Sequence, residues 1–186
     1  MTENPHESKA AKGDDAVQLI DSMREKGSFE AARQRLTDTA KVIADRIAGA
    51  VPGQTWKFTD DPNVQSIDRA GLPCENLTGD IAGRPNADTV AFGRTFNADE
   101  FTTAVVIVRQ EAAKYGATNE SSLFNEESKR DFNVQGKGYE FELGQSKNAR
   151  LNITGDCFLK QSVIELPPGQ LPPEPPIVPS EPTTTR

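Results

Sequence analysis

The chain has 186 residues, 28 Asp and Glu against 21 Lys and Arg, and a net charge of −7 at pH 7. Its cations are dispersed among acidic neighbours, which argues against nucleic acid as a partner and against attachment to an anionic bilayer through a polybasic patch. Hydrophobic residues make up only 35%, with the deficit at the two ends; no run approaches the roughly 18 apolar residues of a membrane helix, and no basic-then-apolar export signal opens the chain.

Residues 1–14 are polar and read as a flexible tether. Asp14 or Asp15 suits an N-cap, after which Val17, Ile20 and Met23 follow at helical spacing up to Lys26-Gly27. Ser28 opens a second helix whose Phe29, Ala32, Leu36, Ala40, Ile43, Ile47 and Val51 form a sustained apolar stripe ended by Pro52-Gly53. Gln54 to Thr59 places Trp56 and Phe58 on one face of a short strand. Asp60-Asp61-Pro62-Asn63 predicts a turn, and 64–87, punctuated by Gly71, Pro73, Gly79, Gly83 and Pro85, predicts irregular chain.

Asp88 to Phe96 reads as a strand, and Asn97 caps a third helix, Ala98 to Tyr115, stopped by Gly116. The period then changes to two. Ser121 to Val134 holds one or two strands, Gly136-Lys137-Gly138 turns, Tyr139 to Leu143 alternates, Ser146-Lys147-Asn148 turns again, and Leu151 alternates on through Cys157 to Leu159. Strands apolar on one side need a cover, and the amphipathic helices supply it. The expected fold class is therefore α+β: an antiparallel sheet of about four to six strands with two or three helices packed on one face. It occupies 15–166 as a single domain, and 167–186, with seven prolines after Pro167, is a proline-rich tail of polyproline II or irregular chain.

Cys74 and Cys157 are the two cysteines. With His6 the one histidine, a zinc site would need two Cys and carboxylates, and a catalytic Cys would lack a base. A Cys74–Cys157 disulfide is the expectation, with two buried free thiols as the alternative; the bridge implies an oxidising compartment.

No phosphate-binding loop, nucleophile elbow or HExxH segment occurs, so no cofactor, metal or catalytic residue is assigned. Carboxylate pairs remain for acid–base chemistry by adjacency alone, at Asp60/Asp61, Asp99/Glu100 and Glu126/Glu127. Trp56, Phe58, Phe92, Phe96, Phe101, Phe124, Phe132, Tyr139, Phe141 and Phe158 read as core, with an acyl-lined cavity as the other reading. Sequons at Asn76, Asn119 and Asn152 read as chance.

Eight stretches together resemble the mycobacterial LppA/LppV-type lipoproteins. They are Leu19–Arg24 (LIDSMR), Lys26–Thr37 (KGSFEAARQRLT), Ile43–Phe58 (IADRIAGAVPGQTWKF) and Asp60–Asn63 (DDPN), then Ile107–Thr118 (IVRQEAAKYGAT), Ser121–Asp131 (SSLFNEESKRD), Leu151–Leu159 (LNITGDCFL) and Leu166–Ile177 (LPPGQLPPEPPI). The resemblance implies an export signal ending in a lipobox, a diacylglyceryl-modified Cys at the mature N-terminus and an extracytoplasmic, membrane-anchored location. Met1-Thr2-Glu3 has no such Cys, so the lipid falls on no residue of this sequence. The resemblance implies no reaction. The leading expectation is a non-enzymatic binding module for a lipid, glycolipid or protein partner. The alternatives are a carboxylate-dependent hydrolase of wall polysaccharide and an inhibitor or chaperone module presenting 64–87.

Overall fold

The computed structural model describes residues 11–173; most of the predicted tether and the end of the proline-rich tail lie outside the described residues. The chain runs through α1 (Gly13–Met23), a 3-10 turn (Arg24–Lys26), α2 (Phe29–Ala50), β1 (Trp56–Phe58), α3 (Pro62–Ala70), β2 (Ala82–Gly83), β3 (Val90–Phe92) and α4 (Ala98–Ala113). It continues through β4 (Asn119–Ser121), β5 (Asn125–Glu126), β6 (Lys129–Gly136), β7 (Tyr139–Gln145), β8 (Ala149–Thr154), β9 (Phe158–Leu159) and α5 (Gln161–Ile164).

The main layer is an antiparallel sheet in the order β1-β3-β8-β7-β6-β4, with β5 paired to β6 as a seventh strand. Alternation sets which face is covered. Phe132 and Val134 on β6, Phe141 and Leu143 on β7, and Leu151 and Ile153 on β8 are buried beneath the inner faces of α2 and α4. The register places Phe132 opposite Leu143 and Leu143 opposite Leu151, so the buried row runs unbroken across three strands. This is the α+β arrangement that the periodicity calls for.

Local signals fix the helices. The Ser28 hydroxyl accepts from the Ala31 N–H at 3.1 Å and starts α2, and the Asn97 side chain accepts from the Glu100 N–H at 2.9 Å and starts α4. The β6–β7 hairpin turns on Lys137 and Gly138, both with positive φ (53° and 84°), as the primed two-residue turn demands. Glu111 on α4 joins the helices. Its buried carboxylate is gripped by Arg46 of α2 at 2.7 Å and by Lys114 at 2.8 Å. Burial pushes its pKa up, yet these two cations together win and hold it below the ordinary value.

Three expectations need correction. Asp14 and Asp15 do not cap α1 but lie in its first turn, since Lys12 occupies the N-cap. Residues 60–70 are not turn followed by irregular chain: the Asp61 side chain accepts from the Asn63 N–H at 2.9 Å and Pro62 occupies the first turn, so α3 forms. The helix escapes periodicity because its one buried side chain is Asp68, while Ile67 is 61% exposed. Nor does β8 run on to Leu159. Gly155-Asp156-Cys157 breaks it, and Phe158–Leu159 pairs instead with Ala82–Gly83 in a separate two-stranded sheet.

That small sheet, α1 and α5 enclose a minor core of Ile20, Leu77, Ala82, Leu159 and Val163. The disulfide joins Cys74 to Cys157 across 83 positions, with Cα atoms 5.7 Å apart. Replacing both cysteines by Ser is expected to remove about 4–5 kcal/mol of unfolding free energy on the chain-entropy account. Urea denaturation under oxidising conditions reads this. An unchanged midpoint would mean that the bridge constrains nothing.

Candidate functional site

The minor core is incompletely closed. Beside the disulfide a surface cavity of about 630 Å³ opens, within the usual size range of small-molecule sites. Its apolar wall is Leu19 and Met23 from α1, Pro73 and Leu77 from the 73–77 loop, and the cystine itself. Pairing of α1 residues at spacings of three and four explains why Leu19 and Met23 share one wall while Ile20 turns into the minor core.

The opposite end is polar. Lys26 donates to the Asp156 carboxylate and to the Cys157 carbonyl, the latter at 2.7 Å. Arg84 donates through Nε to the Gly155 carbonyl and through Nη2 to the Gly138 carbonyl, both at 3.0 Å. Its own backbone exchanges two 2.8 Å hydrogen bonds with Leu72, which fixes the guanidinium relative to the loop bearing Cys74. Gly138 is required here, since a side chain at that position would collide with the Asp156 carboxylate.

The residues singled out by sequence fall elsewhere. Of the aromatic set, Phe92, Phe96, Phe101, Phe132, Phe141 and Phe158 are buried in the cores, and Trp56, Phe58 and Tyr139 pack against them. Phe124 is exposed. None of these lines the cavity. Trp56 donates its indole N–H to Asp45 at 2.9 Å. Among the carboxylate pairs, Asp60 is bonded to Lys57, Asp61 caps α3, Asp99 lies in the first turn of α4 with Glu100, which also pairs with Arg94 at 2.7 Å, and Glu126 at the end of β5 and Glu127 after it are exposed. Each has a local structural role or stands at the surface, and the fold does not gather the three pairs. Asn76 lines the cavity, Asn119 is on β4 and Asn152 on β8.

A second groove, of about 570 Å³, lies on the uncovered sheet face between the exposed Leu123 and Phe124 and the Ser146–Asn148 turn. Its floor is Asp131, Glu142, Gly144 and Arg150, and Asp131 accepts from the backbone N–H groups of Leu123 and Phe124. Its lining carries more polar and charged side chains than that of the cavity beside the disulfide.

Among the described residues the buried aspartate is Asp68 of α3, at 5% exposure. One Asp68 oxygen accepts from the Thr89 N–H at 2.8 Å. The Thr89 hydroxyl lies 3.0 Å from the other oxygen and 3.0 Å from Asn152 Oδ1. The Thr89 hydroxyl donates to that second Asp68 oxygen. Burial raises the Asp68 pKa above its ordinary value despite the Thr89 bonds. A raised carboxyl pKa gives stability that is complete below the unfolded-state value, near 4, and is lost as pH rises through the folded one. Asp68→Asn preserves the hydrogen bonds without the titration, so its stability relative to wild type should climb from about pH 4 upward. Parallel difference curves from thermal melts would contradict this.

The profile of a family described as "Lipoprotein confined to pathogenic Mycobacterium" matches residues 4–161. A lipoprotein LppA of Mycobacterium tuberculosis is 64% identical over 183 residues, covering 98% of this chain and 84% of the relative. A lipoprotein LppB of the same species is 62% identical over 185 residues, covering 100% and 84%. The crystal structure of M. tuberculosis LppA superposes with a TM-score of 0.83 at 68% identity, over 84% of this chain and 93% of that one.

Proposed function

We propose, starting from the fact that this chain belongs to the LppA lipoprotein family, that it is a non-enzymatic binding module of the cell envelope. It holds an amphiphilic ligand, a lipid or glycolipid, in the cavity beside the disulfide. The observation that carries this reading is the cavity's two-ended lining: Leu19, Met23, Pro73, Leu77 and the cystine on one side, Lys26, Arg84 and Asp156 on the other. An apolar wall desolvates a chain, and a few convergent polar groups orient its head.

Location follows the same reasoning. The names of the relatives and the family description support a lipid-anchored protein, and a cystine persists in an oxidising compartment, which supports the extracytoplasmic side. The Ala11 N–H donates to the Asn76 carbonyl at 2.8 Å, so the described chain starts against the cavity's own loop.

Native mass spectrometry of the full chain with a neutral monoacylglycerol should show a one-to-one complex. Leu19→Asp, in the apolar wall, should weaken it at least about tenfold, the scale of losing one buried leucine contact. Leu123→Asp, on the far groove, should leave it unchanged. Absence of any complex, or equal weakening by both variants, would overturn the reading.

A further inference from the structure

We infer that the amphiphile this cavity selects is a lipid whose headgroup carries a negative phosphodiester, recognised by Arg84. The inference rests on the cavity reading above and goes on to specify the head.

The lining holds two cations, Lys26 and Arg84, and two carboxylates, Asp156 and Glu75. Lys26 is neutralised by Asp156, against which it lies within hydrogen-bond reach. Arg84 makes no ion pair among the described residues; its two hydrogen bonds go to the Gly155 and Gly138 carbonyls, which orient the guanidinium without cancelling its charge. Nη1 takes part in neither bond. Glu75, the other acid on the lining, comes from the 73–77 loop and is itself engaged in an interaction. Arg84 thus offers a planar, pre-positioned donor on the lining, the arrangement suited to a phosphate or carboxylate oxygen. Pre-positioning matters because less side-chain freedom remains to be lost on binding. The adjoining Leu19, Met23 and Leu77 give the anion a reason to arrive attached to an acyl chain rather than free.

The test compares lysophosphatidylglycerol with a neutral monoacylglycerol of the same chain length, each below its micelle concentration, by titration calorimetry on the full chain. Inorganic phosphate serves as the chainless anion. Lysophosphatidylglycerol should bind about tenfold tighter than the monoacylglycerol, the scale of one charge-assisted hydrogen bond, and phosphate should compete only weakly. Arg84→Gln should remove the advantage of lysophosphatidylglycerol over the monoacylglycerol. Asp156→Asn, which releases Lys26 from its carboxylate, should widen the preference, whereas mere damage to the fold would weaken both lipids together. Equal affinity for the two amphiphiles would overturn the headgroup assignment and leave the cavity reading standing. Failure of both amphiphiles would overturn both. Phosphate competing as strongly as the lipid would also overturn the inference, because the site would then be a simple anion site.

Discussion

The Cys74–Cys157 bond is the constraint on which the minor layer and its cavity depend, because that layer is too small to close itself. The main sheet buries a large continuous core beneath α2 and α4, with Phe141, Leu143, Leu151, Ile43 and Ile47 fully enclosed. The minor layer has five buried apolar residues and two two-residue strands. Few enclosed side chains mean little hydrophobic stabilisation against the entropy of ordering the long 71–87 connection. A covalent tie between that connection and the segment after β8 supplies what the packing lacks.

Arg24 supplements the bond from the other side. Its guanidinium donates to the carbonyls of Ile164 and Leu166 at 3.0 and 2.9 Å, capping the short α5, and pairs with Asp21 at 3.0 Å. The cavity therefore lies between elements fastened by a disulfide, by a capping arginine and by the Leu72–Arg84 bridge, and not by a deep core. A site placed in the least packed part of a fold, with its walls held by cross-links, combines access for a ligand with a defined shape.

What the sequence discloses follows the same division. The stripe from Phe29 to Ile47 and the alternation of Tyr139 to Leu143 are long and answer to one core, so their periods are readable. The helix α3 is hidden because it buries an aspartate in place of a hydrophobic residue, and β9 is hidden because apolar alternation persists across Gly155 while the chain changes sheets. The cavity is less legible still. Leu19, Leu77, Arg84 and Asp156 come from four separate segments, and no local spacing links them. Only the two cysteines hinted at the place, since a bridge between positions 74 and 157 brings the two distant segments into one wall.

The most direct measurement is amide hydrogen exchange on the full chain, oxidised and then with the bridge opened by Cys74→Ser and Cys157→Ser, each with and without bound amphiphile. The account predicts that opening the bridge raises exchange in 71–84, α1 and β9, spares β6 to β8, and removes the protection that ligand confers on the cavity walls. Unchanged exchange around the cavity, or ligand protection that survives without the bridge, would contradict the claim that this bond holds the site together.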